Sequence, residues 1–155
     1  MSQARRRHRS VEVTISPLTL DVARAALKAQ PFSRFLGAEL LEFGPDGAVL
    51  HLAVRPELRQ QDGFVHGGVI AYLIDNAITF AAGSVLGREV LTGGFTVDYL
   101  RPASGGSLQA RAFVVRAGSR TAVAQCDVQT IDEASDPVLC AIGQGHVSRY
   151  EALRS

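Results

Sequence analysis

The strongest constraint on the fold is a long apolar segment, Gly67–Gly87, in which Asp75 is the only charged residue. Asn76, Thr79 and Ser84 add further polar groups, so no uninterrupted apolar run is long enough to cross a bilayer. We therefore predict a buried helix of a soluble domain here, rather than a membrane span.

Strand-like runs and turn residues surround this helix. Helical spacing over Leu18–Ala29, ending before Pro31, predicts a first helix, and Pro31–Leu36 a short second one. Strands are predicted, two before the long helix and four after it, over Ala38–Phe43, Ala48–Val54, Val90–Leu100, Leu108–Ala117, Thr121–Ile131 and Val138–Arg149. This order predicts an α+β fold, with a largely antiparallel sheet of about six strands packed on one central helix.

Composition is typical of one folded domain. The 155 residues are 46% hydrophobic, which is too much for a disordered chain. Residues 1–10 carry four arginines and no acid, so residues 11–155 have a net charge of 12 − 15 = −3. We interpret 1–16 as a basic solvated tail, 17–150 as the single domain and 151–155 as a C-terminal tail. The acidic body argues against nucleic acid as a partner.

Several kinds of site are absent from the sequence. Cys126 and Cys140 form neither a zinc pattern nor a disulfide framework, which favours a reduced, cytoplasmic setting. Lys28 is the only lysine and no P-loop surrounds it; G-x-S-x-G, H-E-x-x-H and paired C-x-x-C motifs are also missing. These absences argue against a nucleoside triphosphatase, a serine hydrolase and a zinc enzyme, and we predict no metal site.

A glycine pair marks the predicted start of the long helix. Gly67 and Gly68 follow a polar loop, and the first N–H groups of a helix have no partner within it. Such donors, together with the helix dipole, suit a carbonyl oxygen that gains negative charge during a reaction. The alternative is that the glycines only permit tight packing. We expect His66 to cap the helix or position the loop.

Asp75 is the sharper candidate, because burying an unpaired carboxylate costs several kcal/mol. The alternative is a structural Asp satisfied by a hydroxyl or a backbone group. Gly68 and Asp75 are seven residues apart, on nearly the same helix stripe but about 10 Å apart along the axis. If both act on one thioester or ester carbonyl, the second group must come from another subunit.

The segment Gln60–Phe80, with Phe95–Ala103 downstream, resembles the hotdog-fold acyl-CoA thioesterases of the 4-hydroxybenzoyl-CoA thioesterase superfamily. It is most similar to the phenylacetate-pathway branch. The specific feature is His-Gly-Gly with an acidic residue nine positions after the histidine. The resemblance covers about 31–147 and implies a long helix wrapped by an antiparallel sheet, homodimers commonly paired into tetramers, and a thioester bound at the subunit interface. It implies no cofactor, since coenzyme A is part of the substrate.

The resemblance also implies roles for individual residues. Asp75 matches a general base or nucleophile, and Gly67, next to Gly68, matches the residue whose N–H polarises the thioester carbonyl. Gln60 matches a position that helps place the carbonyl or water, although Asn is commoner there. Thr92 matches a hydroxyl that orients the attacking water.

Further residues are candidate ligand contacts. Those for the acyl group or the loop are His66, Phe64, Tyr72, Phe80 and Phe95. Those for the coenzyme A phosphates are Arg101, Arg116 and Arg120, followed by Arg88 and Arg149. His51 and His146 lie in strand patterns and are interpreted as packing residues. Acyl groups that are aromatic and acyl groups of medium length remain equally open.

Two other functions fit the same pattern. A non-catalytic domain of this fold could bind acyl-CoA as a sensor, although mere binding needs no carboxylate in the middle of the helix. An enoyl-CoA hydratase or dehydratase of the same fold needs a differently placed acid–base pair, and no histidine stands at a suitable spacing.

Overall fold

The computed structural model describes residues 18–151. Three α-helices occur in this part of the chain: α1 (Leu20–Ala29), α2 (Pro31–Leu36) and α3 (Gly67–Leu86). The strands are β1 (Ala38–Gly44), β2 (Gly47–Ala53), β3 (Val90–Tyr99), β4 (Ser107–Ala117), β5 (Thr121–Asp132) and β6 (Ser135–Arg149). They form one antiparallel sheet in the order β1-β2-β4-β5-β6-β3, and α3 packs against all six strands. The predicted fold class and element order are confirmed.

Two boundaries differ from the sequence prediction by more than one residue. Helix α1 begins at Leu20 rather than Leu18, because the Thr19 hydroxyl caps it by accepting from the Val22 N–H at 3.3 Å. Strand β6 begins at Ser135 rather than Val138, because the hairpin from β5 is tighter than expected. The predicted tails, 1–16 and 151–155, lie outside the described residues except for position 151.

Helix α3 is the centre of the core. Its Leu73, Ile74 and Ile78 side chains are fully buried, and two glycines of β6 let the helix approach the sheet closely. A Cβ at Gly143 would lie 2.5 Å from Ile74 Cγ2, and one at Gly145 would lie 2.5 Å from Ile78 Cδ1. The helix is long and apolar enough to cross a membrane by composition alone, but 61% of its most apolar window is buried inside the fold.

Strand β3 forms one edge of the sheet and contains a bulge at Gly93. Thr92 pairs with Val147 and Gly94 with His146, so Gly93 is the extra residue. A side chain on Gly93 would overlap the His146 imidazole, which is exposed and covers the bulge. Because of the extra residue, Thr92 and Phe95 both face α3 although they are three positions apart.

Candidate active site

Backbone hydrogen bonds fix the loop that leads into α3. The His66 N–H donates to the Leu58 carbonyl at 2.8 Å, and the Val65 N–H donates to the Ala103 carbonyl at 2.9 Å. The His66 side chain caps the helix as predicted, because its Nδ1 accepts from the Gly68 N–H at 2.9 Å. The start of the helix is therefore held in place from three sides.

The cap separates the roles of the two glycines. Because the Gly68 N–H is bound to His66, it is not a free donor in this structure. Within residues 18–151, no acceptor is hydrogen-bonded to the Gly67 N–H, which is the first of the helix. Tyr99, which no sequence motif marks, donates its hydroxyl hydrogen to the Gly67 carbonyl at 2.9 Å. Gly67 thus offers one unpaired, half-buried N–H at the positive end of the helix dipole.

An open groove of about 640 Å³ runs past Gly67. Four of the predicted residues other than Gly67 line it, namely Gln60, Phe64, Gly68 and Arg101, and Tyr99 lines it as well. None of the other four predicted phosphate contacts does, since Arg88 lines a separate cavity and Arg149 a separate hollow. Arg116 lies exposed on β4, and Arg120 lies in the turn after β4, where it lines a separate hollow.

A second cluster surrounds Asp75 in the middle of α3. The Thr92 hydroxyl donates to Asp75 Oδ1 at 2.6 Å, so the predicted pair is in contact. Thr79, one turn after Asp75, lies with its Oγ1 2.6 Å from Thr92 Oγ1 and 2.7 Å from the Asp75 carbonyl oxygen. None of the described residues hydrogen-bonds to Asp75 Oδ2. One carboxylate oxygen is therefore held by a hydroxyl, while the other has no partner in this part of the chain.

The two clusters are separate within one chain. Gly67 lines the groove and Asp75 does not. They are eight positions apart, which corresponds to about 12 Å along the helix axis. A single subunit therefore does not bring the free N–H and the carboxylate to one carbonyl group.

The remaining candidates lie elsewhere. Tyr72 is buried and lines neither the groove nor the Asp75 cluster, because its hydroxyl donates to Ser33 Oγ at 2.7 Å and its ring contacts Phe32 edge-on. Burial raises the pKa of Tyr72. Phe95 is partly exposed on the helix-facing side of β3, and Phe80 packs edge-on against Phe43.

An antiparallel sheet around one long central helix places the chain in the hotdog fold. The sequence profile of the thioesterase superfamily matches residues 62–135. The chain belongs to the thioesterase superfamily and is a thioesterase-type enzyme.

Curated relatives agree with this assignment. The chain is 35% identical to a Mycobacterium tuberculosis protein named "Putative esterase Rv1847", over 79% of this chain and 88% of that protein. It is 32% identical to the medium/long-chain acyl-CoA thioesterase YigI of Salmonella typhimurium, over 66% of this chain and 77% of YigI. A thioesterase family protein from Silicibacter pomeroyi has a similar structure, with a TM-score of 0.78 and 29% identity, covering 83% of this chain and 96% of that one.

Proposed function

We propose that this protein hydrolyses acyl-CoA thioesters to a carboxylate and free coenzyme A, with Asp75 as the catalytic carboxylate. The observation that carries the proposal is the contact between Thr92 and Asp75, which orients a carboxylate on an otherwise apolar helix and leaves Oδ2 without a described partner. The family and its acyl-CoA-hydrolysing members support the substrate class.

In the proposed reaction, Asp75 takes a proton from water, and the water oxygen attacks the thioester carbonyl carbon. The negative charge that develops on the carbonyl oxygen is stabilised by the Gly67 N–H at the helix N-terminus. The C–S bond then breaks, and the leaving thiolate takes the proton from Asp75. In the alternative route, Asp75 Oδ2 attacks the carbonyl, the thiolate leaves, and water hydrolyses the mixed anhydride. Neither route uses a metal or a redox cofactor.

We further propose that each site combines Gly67 of one subunit with Asp75 of another. The separation of these groups within one chain supports this arrangement, and so does the exposed edge of β3. Within the described chain, β3 pairs only with β6. The β3 residues Leu91 and Tyr99 are 60% and 54% exposed to solvent. Pairing of two such edges would cover apolar surface that a lone subunit leaves in water. A homodimer is therefore the proposed active unit, with two dimers forming a tetramer.

The groove beside Gly67 is the proposed entry for coenzyme A. Gln60 and Arg101 are its polar lining residues among those predicted from sequence, and Arg101 supplies a positive charge for a phosphate. Arg116 and Arg120 are less favoured for this role, since they do not line the groove. The buried free thiols of Cys126 and Cys140 support a cytoplasmic location.

The deciding experiment is detection of free thiol released from a panel of short, medium, long and aryl acyl-CoAs. We expect one free thiol to be released for each carboxylate that is formed. Binding of acyl-CoA without release would indicate a sensor instead. Consumption of an enoyl-CoA with the thioester intact would indicate a hydratase.

A further inference from the structure

A second cavity, of about 220 Å³, lies between α1 and the C-terminal half of α3. Val22, Ala23 and Ala26 of α1 form one side of it, and Thr79, Phe80 and Gly83 of α3 form the other. The proposed reaction scheme assigns it no role, because neither Asp75 nor Gly67 lines it.

The cavity begins where the Asp75 cluster ends. Thr79 lines the cavity, and its hydroxyl is 2.6 Å from the Thr92 hydroxyl that binds Asp75. Asp75, Thr79, Gly83 and Gly87 follow one another at four-residue spacing, so they lie along one stripe of the helix and its end. A group that extends from a carbonyl carbon at Asp75 along this stripe enters the cavity.

The helix surface is recessed along this stripe because two of its positions, Gly83 and Gly87, carry no side chain. A Cβ at Gly83 would contact only Val90 Cγ2, at 3.6 Å, and a Cβ at Gly87 would meet nothing within 4 Å. Glycine is therefore not required at position 83 by close packing of the sheet, unlike Gly145 of β6. Its effect is to leave the space above the helix open.

We propose that this cavity is the acyl-chain pocket, and that it selects unbranched acyl groups of about six to ten carbons. The inference deepens the proposed thioesterase function and rests on it. The pocket extends from Thr79 to Gly87, about 12 Å along the helix, which accommodates about ten bonds of an extended chain at about 1.2 Å per bond. The volume gives a similar limit, since a cavity of about 150 Å³ holds the six carbons of benzene.

The shape favours an aliphatic chain over an aromatic ring. Thr79, Gly83 and Gly87 lie in one line along the helix, so the pocket between α1 and α3 is a long channel of about 12 Å. A polymethylene chain is about 4 Å across, from the contact distance between carbon atoms, and fits such a channel along its whole length. A phenyl ring is shorter than this channel, so an aryl group would fill only part of it.

Helix α1 sets the width of the channel. Ala26 lies at its rim and is exposed, so a larger side chain there enters the channel without disturbing the core. The thioesterase profile matches 62–135 and therefore does not include α1. One wall of the pocket is thus formed by residues outside the matched range, and the other by residues within it.

The test is Ala26→Leu, with Ala25→Leu as the matched control. Both alanines are exposed on α1, but only Ala26 lines the cavity. With saturated acyl-CoAs of two to sixteen carbons and phenylacetyl-CoA, wild-type kcat/KM should peak at six to ten carbons. Ala26→Leu should lower kcat/KM for the eight-carbon substrate at least tenfold and leave the four-carbon substrate within twofold. Ala25→Leu should match the wild type at every length.

A binding measurement separates this inference from the proposed function. Calorimetry with S-octyl-CoA, a thioether that cannot be hydrolysed, should show at least tenfold weaker binding to Ala26→Leu than to Ala25→Leu. If that difference appears although no acyl-CoA is hydrolysed, the pocket stands and the proposed reaction fails. If acyl-CoAs are hydrolysed but Ala26→Leu affects all chain lengths equally or none, the pocket assignment is wrong. Gly83→Ala, which narrows the channel from the other side, should shift the optimum toward shorter chains.

Discussion

The Thr92 hydroxyl donates a 2.6 Å hydrogen bond to Asp75 Oδ1, joining an edge strand to the middle of the buried helix. The two residues are 17 positions apart, and Thr79 completes the cluster from the next turn of the helix. A carboxylate oriented in this way has one oxygen fixed and the other available for a proton or a carbon atom.

Asp75→Asn removes the charge and keeps the size of the side chain, so the helix should remain intact. Thioesterase turnover should fall at least about a hundredfold, because general-base catalysis contributes on the order of 10² to 10⁴. Asp46→Asn, at an exposed position in the turn between β1 and β2, is the matched control and should retain full turnover. Wild-type turnover in a folded Asp75→Asn protein would remove Asp75 from the mechanism.

Thr92→Val replaces the hydroxyl by a methyl group of similar shape. The Asp75 carboxylate then loses the hydrogen bond that orients it, and kcat should fall about tenfold or more. Thr92→Ser keeps the donor and should recover most of the lost activity. Equal losses in the two variants, measured by steady-state kinetics, would mean that packing of the Thr92 methyl group matters rather than its hydroxyl.

Gly67→Pro removes the proposed donor N–H from the first helical position, where proline is well tolerated. The preceding His66 has φ −62° and ψ 133°, an extended conformation that proline accepts after it. Gly67→Ala is the matched control, since it places a similar Cβ 3.2 Å from the Tyr99 ring but keeps the N–H. Turnover should fall much further in Gly67→Pro than in Gly67→Ala.

Mixed dimers test whether the sites are shared. An equimolar mixture of Gly67→Pro and Asp75→Asn subunits, refolded together, should recover about a quarter of wild-type activity. Half of the dimers would be mixed, and each mixed dimer would have one site with an intact Gly67 and an intact Asp75. If mixed dimers form, as shown by differently tagged subunits, and remain inactive, the donor and the carboxylate act within one chain.

Gly145→Ala should destabilise the fold by about 1–3 kcal/mol, because the added methyl group would lie 2.5 Å from Ile78 Cδ1 and 2.7 Å from the Gly94 carbonyl oxygen. Gly44→Ala, in β1, meets nothing within 4 Å and should change stability little. The free energies of unfolding in urea give the comparison. Combining Gly145→Ala with Ile78→Val should restore part of the loss, if the helix contact is its cause.

Cys126 and Cys140 should not react with Ellman's reagent in the folded protein at pH 8. Both are buried; burial raises the pKa of Cys126 to about 12 and also raises that of Cys140, so neither thiol forms a thiolate readily. Two thiols should appear on denaturation.

The free energy of unfolding should fall between about pH 9 and 12. The pKa of Cys126 is higher in the folded state than in the unfolded state, so the folded state keeps a proton that the unfolded state releases over that range.

The element order could be predicted from the sequence because turn residues separate apolar runs of distinct length. Asp75 and Gly67 were also accessible, since a lone charge in an apolar helix and a glycine at a helix start carry their own physical reasons. The buried position of Tyr72 was not accessible. Helix α3 is apolar on most of its surface, so its sequence does not indicate which side faces α2 and Ser33.

Contacts that depend on strand register could not be predicted from the sequence either. Thr79 contacts Thr92, and Tyr99 contacts Gly67, only because β3 lies beside α3 in one register. Simple alternation along β3 would place Thr92 and Tyr99 on opposite faces of the strand. Likewise, the surface positions of Arg116 and Arg120 follow from how β4 and β5 sit in the sheet. A charge pattern along the chain carries no such information.

The bulge at Gly93 interrupts the regular pairing of β3 with β6, and the proposed activity depends on that interruption. Deletion of that one residue would give β3 an uninterrupted ladder with β6. It would also reverse the phase of every side chain on one side of the deletion, so that either Thr92 or the row containing Phe95 and Tyr99 turned away from α3. Under the proposed mechanism, this strand should therefore tolerate many substitutions but not a change of length by one, and the more regular sheet should be inactive.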